Sequence, residues 1–367
     1  MTNLTLRSVV TGAILLLFAA CSEPQPRFHE TERPLRLSDW QLFALDADTL
    51  TPNSASVVFS PNNPLFTDYA HKLRTLWIPS GLTASIVNDE IDYPVGTILS
   101  KTFYYPRASN STPRKAEDAG LQKISLPDNQ LIETRLLVRK NGGWDAFPYV
   151  WNDEQTEAFL RVAGASEPLS LQEQDSGETI DFTYFVPNEN QCAGCHTTVH
   201  PDGDMHPLGA VFSQLNAHAS ESGTGVNSVL AKIIARGWLP QTTALPRTAS
   251  WQDSSALLED RALAYLNMQC GHCHNPQGAA DTSGLILDNS PTQLINRGVC
   301  KPPVAAGGGA GNLRYGIVPG NPEQSILLYR MRSVKPDEMM PELGRSLIHG
   351  EGVDLVSSWI AAMEGGC

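Results

Sequence analysis

Positive charge is scarce in this chain: 26 Lys and Arg stand against 39 Asp and Glu, a formal net charge of −13 over 367 residues. A surface of that sign gains nothing from phosphate backbones, which disfavours nucleic acid as a partner. Basic proteins or cationic patches suit it better. Long apolar runs are missing too. The run Val9 to Ala20 is too short to span a bilayer comfortably, and no other segment approaches transmembrane length. The glycine cluster Gly307-Gly308-Gly309-Ala310-Gly311 lacks the following Lys-Ser/Thr and the strand–helix context of a phosphate loop, so it reads as a flexible surface loop. Broad disorder is excluded by 41% hydrophobic and 18% charged residues. The length allows two or three compact domains.

What is present begins with an address. Arg7 precedes the apolar run, which ends Phe18-Ala19-Ala20-Cys21. Small residues before a cysteine resemble a bacterial lipoprotein cleavage site, with residues 1–20 as signal peptide and Cys21 as the lipidated residue. An ordinary signal peptide or a short anchor is the alternative. Ser22 after the cysteine implies, by the same resemblance, the outer membrane, with the chain exported to its periplasmic face. Residues 21–38, polar and Pro-containing, form a tether.

Seven cysteines are present, and four of them fall in Cys192-Ala193-Gly194-Cys195-His196 and Cys270-Gly271-His272-Cys273-His274. Both fit Cys-x-x-Cys-His, the attachment motif of c-type haem. Two thiols on one helical turn reach the two vinyl groups of a porphyrin, and the next residue presents an imidazole to the iron. Random placement of the cysteines and histidines would produce about 0.003 such motifs, so two are not accidental. A zinc site pooled from both motifs, or a thioredoxin-like redox pair, is the competing chemistry. His272 reads as a spacer. The expectation is two haem c groups, with Cys192, Cys195, Cys270 and Cys273 as thioethers and His196 and His274 as proximal iron ligands. Cys300 and Cys367 are left over; a disulfide between them would close a loop of about 66 residues, worth roughly 4 kcal/mol in the chain-entropy model. Two free thiols are the alternative.

The pattern over residues 39–190 is β-rich. Arg74–Ile78, Thr97–Tyr105 and Phe182–Val186 carry β-branched and aromatic residues, and Leu136–Lys140, Asn141-Gly142-Gly143 and Trp144–Trp151 read as a hairpin. Helical spacing follows: Val226, Val229, Leu230, Ile233 and Ile234 share one face, Leu257–Met268 runs into the second motif, and Val356, Trp359, Ile360 and Met363 stripe a final helix. Asn321-Pro322-Glu323-Gln324 reads as a helix start capped by Asn321. The expected fold is α+β: an N-terminal β-sandwich or open-barrel-like domain (39–190), a first haem-binding segment (191–250), and a mainly α-helical cytochrome c region (251–367).

The run Met339-Met340-Pro341-Glu342-Leu343-Gly344 resembles the Met-Pro loop of small monohaem cytochrome domains. That resemblance implies Met340 as distal ligand of the second iron, with Met339 as the alternative. His/Met ligation raises the potential and suits electron transfer. For the first iron no such loop follows. Met205, His206, His200, His218 and Met268 each read as surface or core residues before they read as a sixth ligand; His71 is the candidate preferred from the β-rich domain, and an open position is the alternative.

On these motifs the chain resembles the proteobacterial dihaem c-type cytochrome lipoproteins often encoded beside a parallel β-helix protein. The stretches that carry the resemblance are Pro64–Lys72, Tyr93–Thr97 with Lys101-Thr102-Phe103, Trp151–Gln155, Pro207-Leu208-Gly209, Leu215-Asn216, Cys300–Pro303, Val318–Pro322 and Met340–Arg345. It implies two haems and a β-helix protein as a partner, but no defined reaction. Residues 40–196 are also similar to cytochromes that cross-link a lysine to haem and oxidise hydroxylamine. Lys101 would be that lysine; an exposed strand residue is the plainer reading. The function expected is electron transfer with redox protein partners, at a membrane reached through the lipid anchor, rather than turnover of a substrate. A haem enzyme with an open first iron, acting on a small nitrogen or peroxide species, and a haem subunit of a larger complex are the rivals.

Overall fold

The computed structural model describes residues 23–87, 90–174, 176–216, 229–241, 248–304 and 306–367. The leader, Cys21, His218 and Val226 lie outside them. The described strands are β1 (Phe43–Leu45), β2 (Thr49–Pro52), β3 (Val57–Phe59), β4 (His71–Trp77), β5 (Ser85–Val87), β6 (Glu90–Asp92), β7 (Ile98–Pro106), β8 (Ile124–Ser125), β9 (Asn129–Lys140), β10 (Gly143–Trp151), β11 (Ala158–Leu160), β12 (Ala165–Gln172) and β13 (Thr179–Val186). All pair antiparallel. A six-stranded sheet runs β11-β10-β9-β7-β4-β3, beside a three-stranded sheet β1-β2-β8 and the pairs β12-β13 and β5-β6. Leu73, Ile98, Leu136, Val138 and Phe147 share one face of β4, β7, β9 and β10, and Leu76 of β4 lies on the other; all are buried in the larger core.

The helices are short: α1 (Glu189–His196), α2 (Phe212–Leu215), α3 (Val229–Ala235), α4 (Leu258–Leu266), α5 (Ile326–Arg332) and α6 (Gly350–Ala362). This corrects the expected architecture. The protein is mostly β-strand in four antiparallel sheets with six short helices among the described residues, and residues 251–367 are not a mainly α-helical cytochrome c region. Long turn segments separate α4, α5 and α6, where Pro and Gly recur too often for helices to propagate. The helix start expected at Asn321 is only a short 3-10 turn, Pro322–Gln324, without an Asn321 side-chain cap; α5 begins after Ser325 instead. The glycine cluster is also a 3-10 turn, with Gly309 buried.

A second core gathers α4, α5 and α6 around Tyr265, Leu266, Leu328, Val356 and Trp359. Gly352 lets α6 approach α4, because a Cβ there would overlap the Tyr265 phenol. Residues of the 191–250 segment, among them Cys192, Phe212 and Ile233, pack into the core of the large sheet. The stretch Pro64–Lys72 ties the two cores together. Asp68 Oδ1 accepts the backbone N–H groups of Ser346 and Leu347, each at 2.7 Å, and Gln269 receives Phe66 N–H at 2.9 Å while donating to Pro64 O at 3.0 Å.

Cys300 and Cys367 form a disulfide, with Cα atoms 5.3 Å apart. Replacing both with serine is expected to cost roughly 4 kcal/mol, set by the loop length. A lowered urea midpoint measures it, and a midpoint equal to that of the oxidised parent would refute it.

Candidate functional site

The first motif occupies α1. Asn188 caps it reciprocally with Gln191: Gln191 N–H donates to Asn188 Oδ1 and Asn188 N–H to Gln191 Oε1, both at 2.9 Å. The chain then loops back, and His196 is bracketed by it. His206 N–H donates to His196 O at 2.8 Å, and His196 Nδ1–H donates to His206 O at 2.7 Å. That bond fixes the tautomer and leaves Nε2 as a free lone pair. Burial pushes the imidazole down to about 4, so it is neutral at neutral pH.

The second motif begins in a π-helical turn, Asn267–Gly271, that continues α4. A side chain at 271 would meet Asp288 Cα at 2.8 Å, which explains the glycine between Cys270 and His272. His274 Nδ1–H donates to Ser283 Oγ at 3.1 Å, and the Ser283 hydroxyl in turn donates a hydrogen bond to Ala280 O at 2.6 Å. Again Nε2 is left free, and burial, with Arg330 nearby, holds the ring down at about 4. The two motifs abut: Cys273 Sγ–H donates to Gly194 O at 3.8 Å, and the Cys195 and Cys273 thiols share a hydrogen bond that pushes Cys195 down and Cys273 up. All four motif cysteines are free thiols.

Two mostly apolar cavities flank this junction. One, about 570 Å³, is lined by Cys270, Cys273, His274, Ser283, Arg330 and Met340. Its size falls within the ~300–1,000 Å³ of cofactor pockets. The other, tighter at about 180 Å³, is lined by Cys192, Cys195, His196, Lys101, Met268 and Met340 among others. Cys195, Gln269, Cys270, His272, Met331, Met340 and Leu343 border both. His272, read as a spacer, stands in this shared wall with its Nδ1 buried and unpartnered. In donor chemistry, four free thiols and two neutral imidazoles with open Nε2 atoms fit haem attachment at both motifs; in size only the second cavity falls within the cofactor range, and the first lies below it. Among the described residues no cluster of three His, Cys, Asp or Glu side chains is arranged to hold one metal ion.

Met340 faces both cavities, while Met339 is buried and lines neither. The loop backbone is pinned by Arg345, a buried guanidinium that donates from Nη2 to the carbonyls of Arg330, Ser333 and Met340 at 3.2, 2.8 and 2.9 Å. Of the sixth ligands considered for the first motif, Met268 alone lines the first cavity. His71 lines neither; its Nε2 is 2.9 Å from Ala116 O and its Nδ1 3.8 Å from Asp118. His200 borders the second cavity, His206 offers its carbonyl, Met205 packs on the core, and His218 lies outside the described residues.

Lys101 is a further correction. It is a half-buried side chain facing the first cavity, not an exposed strand residue, and burial with Arg135 and Arg74 nearby lowers it to about 7. His349 was missed by sequence reasoning. It borders the first cavity inside an aromatic cage, stacked on Phe66 at 4.3 Å, with its Nδ1 2.9 Å from the Tyr265 hydroxyl, and burial pushes it down to about 4. No local signal marks it, because its partners come from residues 66, 251 and 265.

Three partly buried imidazoles held near 4 have a pH consequence in the cofactor-free chain. Their folded values lie below the unfolded 6.5, so the stability they add is complete above pH 6.5 and is lost as pH falls toward 4. Each accounts for about 3 kcal/mol at most. Asp68, pushed up to about 6 by burial, opposes them below pH 6 but is one group against three. Urea titrations of cofactor-free protein are expected to show a net fall in stability between pH 6.5 and 4; a flat profile would contradict it.

No family model, curated protein or solved structure matches the chain.

Proposed function

We propose that the chain is an exported, lipid-anchored dihaem c-type cytochrome that carries electrons. One observation carries the reading: both Cys-x-x-Cys-His motifs place two free thiols and an imidazole with a bonded Nδ1 and an open Nε2 on the wall of a cavity. Bound haem supplies a one-electron iron couple. Cys192, Cys195, Cys270 and Cys273 would hold the two groups, His196 and His274 would ligate, and Met340 would offer its thioether at the second. Arg345 keeps the Met340 backbone in place, and the apolar walls limit water. The −13 charge favours a basic redox partner, and the resemblance adds a parallel β-helix protein. Anchoring through Cys21 would place the chain on the periplasmic face of the outer membrane.

A second reading, a haem enzyme acting on a small nitrogen or peroxide species at the first motif, draws support from Lys101 facing that cavity and from His71 lying away from it. Protein matured in a host competent for cytochrome c assembly should contain two covalent haems per chain. Colourless protein, or protein holding zinc, would end the haem reading. CO binding to the reduced first site would favour the enzyme; failure to bind would favour the carrier.

A further inference from the structure

Arg74, Lys101 and Arg135 form one row across the large sheet. Arg74 is paired in register with Lys101 on β4 and β7, and Lys101 with Arg135 on β7 and β9. Like charges placed directly opposite repel, and burial deepens the cost. All three nevertheless line the first cavity beside Cys192 and His196. Carboxylates answer them only in part: Glu133 accepts from Arg135 Nε at 2.8 Å and Nη2 at 2.5 Å and lies within electrostatic reach of Lys101, while Asp118 acts on Arg74 from a distance without pairing with it. Arg74 is only 7% exposed, yet makes no ion pair among the described residues and only a long 3.5 Å hydrogen bond to Lys72 O. The Lys101 ammonium has no ion pair or hydrogen bond there either, only the Phe103 ring at 5.1 Å.

We propose that this row is a built oxyanion site, in which Arg74 and Lys101 hold a carboxylate-type group inside the first cavity. Guanidinium and ammonium donors converging on a partly dry cleft match a small planar oxyanion with delocalised charge. Such a group has two sources. It is a diffusible oxyanion of the nitrite type, or it is the carboxylates of the haem at the first motif; only the latter rests on the haem reading.

The test uses full-length matured protein, with sodium nitrite as calorimetric probe and resonance Raman bands of the haem carboxylates as the second readout. Lys101→Met and Arg74→Gln are compared with the exposed control Lys123→Met. Saturable nitrite binding that weakens at least tenfold in both variants and is unchanged in the control assigns the diffusible source. Absence of nitrite binding in the parent, with carboxylate bands shifted in both variants, assigns the haem source. The proposal is overturned if neither nitrite affinity nor the carboxylate bands depend on Arg74 and Lys101. Colourless protein that still binds nitrite through these residues would end the haem reading and keep the site; colourless protein that does not bind would end both. Lys101→Met should melt no lower than the parent, since it removes an unpaired cation, so the comparison does not hinge on folding.

Discussion

Met340→Ala is expected to turn one iron high-spin and lower its midpoint potential, by something on the order of 0.1 V out of the roughly 0.8 V that axial ligands command. The reasoning begins with the loop. Arg345 ties the carbonyls of Arg330, Ser333 and Met340 together, and Met340 N–H donates to Arg330 O at 3.1 Å, so the backbone at 340 is held from both sides. The side chain alone is left to face the cavities. Alanine keeps that backbone and removes the sulfur, which on the proposed reading would favour the reduced iron as a soft ligand. Met339→Ala makes the matching control, because Met339 is buried away from both cavities; it should lower stability and leave the spectrum intact. Unchanged spin state and potential in Met340→Ala would exclude that sulfur as ligand.

The second large effect concerns the thiols. Replacing Cys192 and Cys195 with alanine should remove one haem per chain, replacing Cys270 and Cys273 should remove the other, and the fourfold variant should be colourless. Thioethers are covalent, so the loss is a whole cofactor rather than a weakened affinity, and haem-stained mass reads it directly. The two single-haem proteins also separate the sites. The protein that keeps the second motif should retain the His/Met spectrum, because Met340 borders that cavity too. Two haems remaining after loss of either pair would refute the assignment.

Some of this was legible in the residues. The stretches Arg74–Ile78 and Thr97–Tyr105 largely coincide with β4 (His71–Trp77) and β7 (Ile98–Pro106), where β-branched and aromatic side chains concentrate, and the hairpin turns at Asn141-Gly142 into Gly143, whose φ is +129°. The final helix follows from its apolar stripe. What failed depended on distance along the chain. The mainly helical C-terminal region was inferred from a few spaced apolar residues, while the intervening Pro- and Gly-rich stretches fold as turns held by long-range bonds such as those of Arg345. Lys101 looked like an exposed strand residue because strand periodicity shows which residues share a face but not what covers that face. His71 looked available because nothing local announces that Ala116 and Asp118 will fold over it. Ser283 and the His206 carbonyl, which orient the two imidazoles, carry no motif at all.

The strap formed by Pro64–Lys72 has a bearing on maturation. Asp68, 2% exposed, clasps Ser346 and Leu347, and both cavities draw walls from beyond residue 265, the first from the large sheet as well. The first cavity is therefore complete only when residues beyond 265 have been drawn against the large sheet. On the haem reading proposed above, attachment at the first motif would be easiest while residues 251–367 still hang loose, with closure of the clasp coming after it.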